Sequence, residues 1–114
     1  MGKRDQLETH PLFPSGDWEG FFTYELGPQA DKYEMELFLN FKAGVLSGGG
    51  DDEVGIFSWR GTYDVRKLVC RMVKDYQTHK VQYKGNVDEN GIWGTWKLDW
   101  MTGGFHIWPK LVAN

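Results

Sequence analysis

The chain has 114 residues, 16% of them aromatic, with thirteen basic and sixteen acidic side chains and a formal net charge of −3. That length gives one domain with one modest core, and the slightly acidic balance excludes general nucleic-acid binding, which requires a basic surface. The single Cys70 excludes an intramolecular disulfide and points to a reducing compartment; with no apolar run near the roughly 18 residues of a membrane span and no apolar leader in Met1–Gln6, a cytoplasmic protein without a membrane role is expected.

Residues 1–16 read as an N-terminal arm. His10-Pro11-Leu12-Phe13-Pro14 is Pro-punctuated, and Leu12 and Phe13 are expected to pack over one end of the domain. From Asp17 the pattern switches to period two, which marks half-buried strands, and the domain is expected to run to residue 110, leaving 111–114 as a tail. Trp18, Gly20, Phe22 and Tyr24 share a face on the first strand, before a loop at Gly27–Asp31. Tyr33, Met35, Leu37, Leu39 and Phe41 share a face on the second. Leu46, Gly48 and Gly50 mark a short third strand, and Phe57, Trp59, Gly61 and Tyr63 a fourth. Leu68, Cys70, Met72, Lys74 and Tyr76 mark the fifth; His79, Val81, Tyr83, Gly85 and Val87 the sixth. Ile92, Gly94, Trp96 and Leu98 follow on the seventh, Phe105 and Ile107 on the eighth. No segment has a helical period.

Short antiparallel strands joined by tight turns predict an all-β, eight-stranded antiparallel up-and-down β-barrel. A turn centred on Gln77-Thr78 places Lys74 opposite Val81 and Met72 opposite Tyr83. Asn90-Gly91 suits the two positive-φ positions of a type I′ hairpin, and a turn centred there places Gly85 opposite Trp96, a glycine making room for a large ring. A turn at Met101-Thr102 places Trp96 opposite Ile107, and one at Val65-Arg66 places Trp59 opposite Met72. All keep one face continuous. One end of the barrel then collects Trp18, Val65-Arg66 and Pro109 and is expected to be plugged. The other collects the Gly27–Asp31 loop, Asp51-Asp52-Glu53, Lys74, Tyr76, His79 and Trp100, and is expected to be a mouth.

Gly16-Asp17-Trp18, opening the first strand of such a meander, resembles the G-x-W signature of the calycin superfamily of lipocalins, fatty-acid-binding proteins and avidins. The resemblance covers most of residues 16–110. It implies a lipocalin- or streptavidin-like barrel that binds small molecules, with Trp18 closing the floor beneath a basic residue of the last strand, a role for Lys110. The string Trp93-Gly94-Thr95-Trp96, followed by Gly103-Gly104-Phe105 and Ile107-Trp108-Pro109, also resembles small, uncharacterised single-barrel proteins. The chain is shorter than a typical lipocalin and has no helical lid, and the biotin-contacting residues of avidins do not map onto it.

Lys74 is the most informative residue, because its parity places an ammonium inside the barrel. A buried lysine needs a carboxylate; Asp52 is the first candidate and Glu53 the second. Such a lysine is either a structural ion pair or rim cation, or an anchor for an anionic or carbonyl-bearing ligand, even a nucleophile if its pKa falls. Tyr76 and His79 flank a turn beside it as further polar groups. Tyr24, Tyr33, Phe57, Trp59 and Tyr83 point inward, either filling the barrel or lining an apolar pocket. Asp51-Asp52-Glu53 lacks the EF-hand spacing, Gly48-Gly49-Gly50 is no phosphate loop, and neither a metal nor a cofactor is expected. The expected function is non-catalytic binding of a small, partly apolar or anionic ligand at the mouth. The alternative is an interaction module or homodimer using the outer wall near Trp93 and Trp108.

Overall fold

The computed structural model describes residues 6–110. Eight strands follow in chain order: β1 Gly16–Phe22, β2 Tyr33–Lys42, β3 Val45–Asp52, β4 Ile56–Asp64, β5 Val69–Asp75, β6 Lys80–Asp88, β7 Gly91–Leu98 and β8 Met101–Pro109. Each pairs antiparallel with its chain neighbours, and β1 pairs with β8 from Trp18↔Pro109 to Phe22↔Phe105, closing the barrel. The chain is therefore an all-β, up-and-down antiparallel barrel, as its period-two pattern predicts. Residues 1–5 of the arm and the tail at 111–114 lie outside the described residues.

The inward faces follow the sequence parity. Trp18 and Phe22 of β1, Met35, Leu37, Leu39 and Phe41 of β2, Phe57, Trp59 and Tyr63 of β4, and Cys70, Met72 and Lys74 of β5 are all buried. The expected pairs Lys74↔Val81 and Met72↔Tyr83 are formed. Three other registers differ from expectation by an even number of residues. Tyr83 pairs with Trp96 and Gly85 with Gly94, because the β6–β7 turn is Glu89-Asn90 and Gly91, with φ of 117°, already opens β7. Trp96 pairs with Gly103 rather than Ile107, because the β7–β8 turn is Asp99-Trp100, with Asp99 at a φ of 55°. Trp59 pairs with Lys74 rather than Met72, because the β4–β5 loop runs from Val65 to Leu68. A slip of two, or of four as at β7–β8, keeps each side chain on its own face, so hydrophobic alternation does not resist it.

The glycine that makes room for Trp96 is accordingly Gly103, not Gly85. A Cβ at Gly103 would lie 1.9 Å from the Thr23 carbonyl oxygen and 2.5 Å from Trp96 Nε1. The indole N–H in turn donates to that carbonyl at 2.8 Å.

The floor is closed by the arm. Phe13 is fully buried and packs against Phe41 and Tyr63, with ring centroids 5.5 and 4.9 Å away. Glu8 accepts a 2.7 Å hydrogen bond from the Tyr63 hydroxyl, and its backbone N–H donates to Phe41. Ser15 Oγ accepts from the Phe41 N–H at 2.9 Å. Trp18 stands here at 1% exposure, and its indole N–H donates to the Pro14 carbonyl. Lys110 does not take the role the calycin resemblance implies: its ammonium lies 3.3 Å from Glu36 on the outer wall.

Candidate functional site

The upper half of the barrel is built around a buried ion pair. Lys74, near the end of β5, stands between Trp59 of β4 and Val81 of β6 and is fully buried. Asp52 ends β3 at the Glu53-Val54 turn, whose Asp52 and Gly55 exchange two backbone hydrogen bonds. One carboxylate oxygen, Oδ1, accepts from the N–H groups of Val54 and Gly55 at 2.9 and 3.3 Å. The other, Oδ2, accepts from Lys74 Nζ and from the Tyr76 hydroxyl, each at 2.5 Å. Both charged side chains are fully buried.

Burying an ammonium is expensive, by several kcal/mol even after relaxation. The chain offsets this with the carboxylate and with aromatic faces. The Lys74 ammonium lies 4.4 Å from the ring centroid of Phe57, 4.7 Å from Phe22, 5.0 Å from Tyr76, 5.6 Å from Tyr83 and 5.8 Å from Trp59. Each ring within about 6 Å contributes electrostatic attraction on the order of 0.5–2 kcal/mol. Burial pulls the Lys74 pKa down to about 8, with Asp52 opposing that fall. Burial also pushes the Tyr76 hydroxyl upward, reinforced by the hydrogen bond it donates to Asp52, and burial raises Tyr83. Both tyrosines therefore stay protonated donors at neutral pH.

Above this layer a cavity of about 300 Å³ opens at the mouth. Phe22, Tyr24, Tyr76, Tyr83 and Trp96 supply rings, Val54, Val81, Leu98 and Met101 aliphatic surface, and His79 an imidazole. The His79 ring stacks on Tyr76 with centroids 4.9 Å apart, and its Nδ1 lies 2.9 Å from Thr78 Oγ1. Tyr83 is 3% exposed as a residue, and its hydroxyl makes no hydrogen bond among the described residues but opens to the cavity, whereas the indole N–H of Trp59, in the layer beneath, is buried without a partner there.

The nine residues singled out from sequence all belong to this half of the barrel, but they separate into two layers. Tyr24, Tyr76, His79 and Tyr83 line the cavity. Lys74, Asp52, Phe57 and Trp59 form the packed layer beneath it, and the Lys74 ammonium does not reach the cavity surface. Tyr33 stacks on Phe22, 5.5 Å between centroids, and supports the wall. Tyr24 stands past the end of β1 at 43% exposure, on the rim rather than in the lumen. Trp96, Leu98, Phe22 and Val81 were legible as inward-facing but not as cavity wall. Val54 and Met101 carry no sequence signal: one is a turn residue, and the other reads as a turn until the true β7–β8 register places it opposite Leu98.

On the outer wall, β1, β7 and β8 carry an aromatic strip. Trp108 lies edge-on to Phe21 and His106, at 6.1 and 5.2 Å. Trp93 pairs across the strands with His106 and donates its indole N–H to Asp88 at 3.0 Å.

No family model, no curated protein and no solved structure matches the chain.

Proposed function

We propose that this protein is a non-catalytic binder of a small, partly apolar ligand held at the barrel mouth. The observation that carries the reading is the cavity of about 300 Å³, walled by five aromatic rings and open at one end of a barrel whose other end the arm seals. A concave, mostly apolar site with a few convergent polar groups is the usual form of a small-molecule site. Tyr83 and His79 supply those groups, and the Lys74–Asp52–Tyr76 layer fixes the floor. The calycin-like signature at Gly16–Trp18 agrees with this habit of binding inside the barrel. Native mass spectrometry of the protein from its own source tests it. A co-purifying mass is expected on the wild-type chain and lost in Leu98→Trp, which fills the mouth from a half-buried position. Equal retention by that variant would remove the mouth as the site.

A second reading uses the outer wall as a protein contact, and the strip of Phe21, His106, Trp108 and Trp93 favours it, with Trp93 42% exposed. A concentration-dependent sedimentation coefficient, abolished by Trp93→Lys, is its expected signature; a monomer at all concentrations rejects self-association through this wall.

A further inference from the structure

Resting on the mouth-binding reading, we infer that the cavity selects an uncharged, flat, one- or two-ring compound with a hydrogen-bond acceptor, which the Tyr83 hydroxyl receives. Four features of the site lead to this class.

The first is the handling of charge. Among the described residues no ammonium lines the cavity, and that of Lys74, in the layer beneath, is matched by Asp52 at 2.5 Å and screened by five ring faces. A bound carboxylate would find no unmatched cation among the lining residues. The His79 imidazole stands half-buried at the rim, where solvent reaches it and weakens its pull.

The second excludes cations, which an aromatic box would otherwise favour. Phe22, Tyr76 and Tyr83 each serve both the cavity and the Lys74 ammonium, at 4.7, 5.0 and 5.6 Å. A ligand ammonium would have to share ring faces that already engage Lys74, and it would find no carboxylate among the lining residues.

The third is the free donor. Tyr76 gives its hydroxyl proton to Asp52. Tyr83 gives its proton to no group among the described residues, though it is 3% exposed and lines the cavity. The buried side-chain polar atom without a partner among the described residues is Trp59 Nε1; the Tyr83 hydroxyl instead opens to the cavity as a spare donor, and burial of its ring holds it in the protonated, donating form. A carbonyl, ether or ring nitrogen satisfies it.

The fourth is size. A volume of about 300 Å³ holds roughly ten to fifteen non-hydrogen atoms at about 20–30 Å³ each, a water's share of the liquid being about 30 Å³. Edges and faces of Tyr24, Tyr83 and Trp96 suit a planar body.

Four probes with one naphthalene body test the class: 2-acetylnaphthalene, 2-ethylnaphthalene, 2-naphthoate and 2-naphthylmethyl-trimethylammonium. Each is titrated at pH 7 into the full chain, with backbone amide shifts read by NMR. The acetyl probe is expected to bind about fivefold tighter than the ethyl probe, the size of one net hydrogen bond of about 1 kcal/mol, and at least tenfold tighter than either ion. Tyr83→Phe is expected to bring the acetyl probe down to the ethyl probe's affinity while leaving the ethyl probe unchanged. Tighter or equal binding of the naphthoate or the ammonium probe at the mouth overturns the neutral class but leaves the mouth-binding reading standing. An acetyl preference that survives Tyr83→Phe overturns the role of that hydroxyl. Absence of shifts at mouth residues with all four probes overturns the mouth-binding reading and this inference with it.

Discussion

The Lys74 ammonium and the Asp52 carboxylate meet at 2.5 Å inside the barrel, but the two partners are not equally supported. Asp52 also accepts from Tyr76 and from the Val54 and Gly55 N–H groups, whereas Lys74 otherwise has only ring faces and the Met35 sulfur at 3.5 Å. Removing the carboxylate charge therefore strands the ammonium more completely than the reverse. Asp52→Asn is expected to destabilise by about 3–5 kcal/mol, the usual cost of leaving a buried charge uncompensated. Lys74→Met is expected to cost about 2 kcal/mol, since three donors still hold the carboxylate. Urea unfolding at pH 7 measures both; a larger loss for Lys74→Met contradicts the asymmetry.

The same pair makes stability depend on pH. Lys74 titrates near 8 in the folded chain against 10.5 as a free side chain. Above pH 8 the folded state therefore binds fewer protons at this site than the unfolded chain, so the Lys74 contribution to stability rises with pH until about 10.5. Cys70 works the other way: burial lifts its thiol from 9.0 to about 12, so its contribution falls once the unfolded thiol ionises above pH 9. The expected profile rises from about pH 8 to 9, is level from about 9 to 10.5 where the two contributions oppose each other, and then declines as the buried tyrosines, whose hydroxyls are pushed above 10.0, join Cys70. Lys74→Met should be flat over the rising part, and a rise that persists in that variant assigns it to another group.

The floor should loosen in acid. The hydroxyl of Tyr63 holds the Glu8 carboxyl below its usual range, so this contact helps above pH 4.5 and is lost as pH falls through the lowered folded value. Tyr63→Phe is expected to cost about 1 kcal/mol, and to speed hydrogen exchange at the Glu8 amide, which donates to Phe41. Unchanged exchange there would mean that the arm is held by Phe13 and the Ser15 and Pro14 contacts without help from Tyr63.

Gly103→Ala should disturb the cavity wall from behind. The new methyl meets the Thr23 carbonyl at 1.9 Å and the Trp96 indole at 2.5 Å, and backbone on a closed barrel does not yield as a flexible side chain does. The expected loss is about 1–3 kcal/mol, with a changed near-ultraviolet circular dichroism from the displaced Trp96. Gly85→Ala meets the Ile92 side chain at 2.5 Å instead, and should leave that Trp96 signal in place.

Which way each side chain points was legible in the sequence, because alternation decides it and a one-residue slip would bury Glu34 and Glu36 in place of Met35 and Leu37. The turns were less legible. Asn90-Gly91 carries the strongest hairpin chemistry, yet the loop is Glu89-Asn90; Asp99 takes a positive φ that Gly103-Gly104 advertises more loudly. Errors of two or four residues leave the faces intact and pass unnoticed by any hydrophobic pattern. They still decide which residues become neighbours, so Met101 of the mouth could not be found, while Val54 escaped because a turn residue carries no alternation. The Lys74–Asp52 contact was legible, because a buried ammonium demands a carboxylate and few lie within reach of that end.

Seven of the eight seams are hairpins between consecutive strands, but the last joins Trp18–Phe22 to Phe105–Pro109. A nascent chain can zip its hairpins as each emerges, while the first strand keeps one side unsatisfied until almost everything has been synthesised. Closure late in folding is thus the slow, all-or-none event, and a chain stalled short of its eighth strand presents two raw sheet margins to its neighbours.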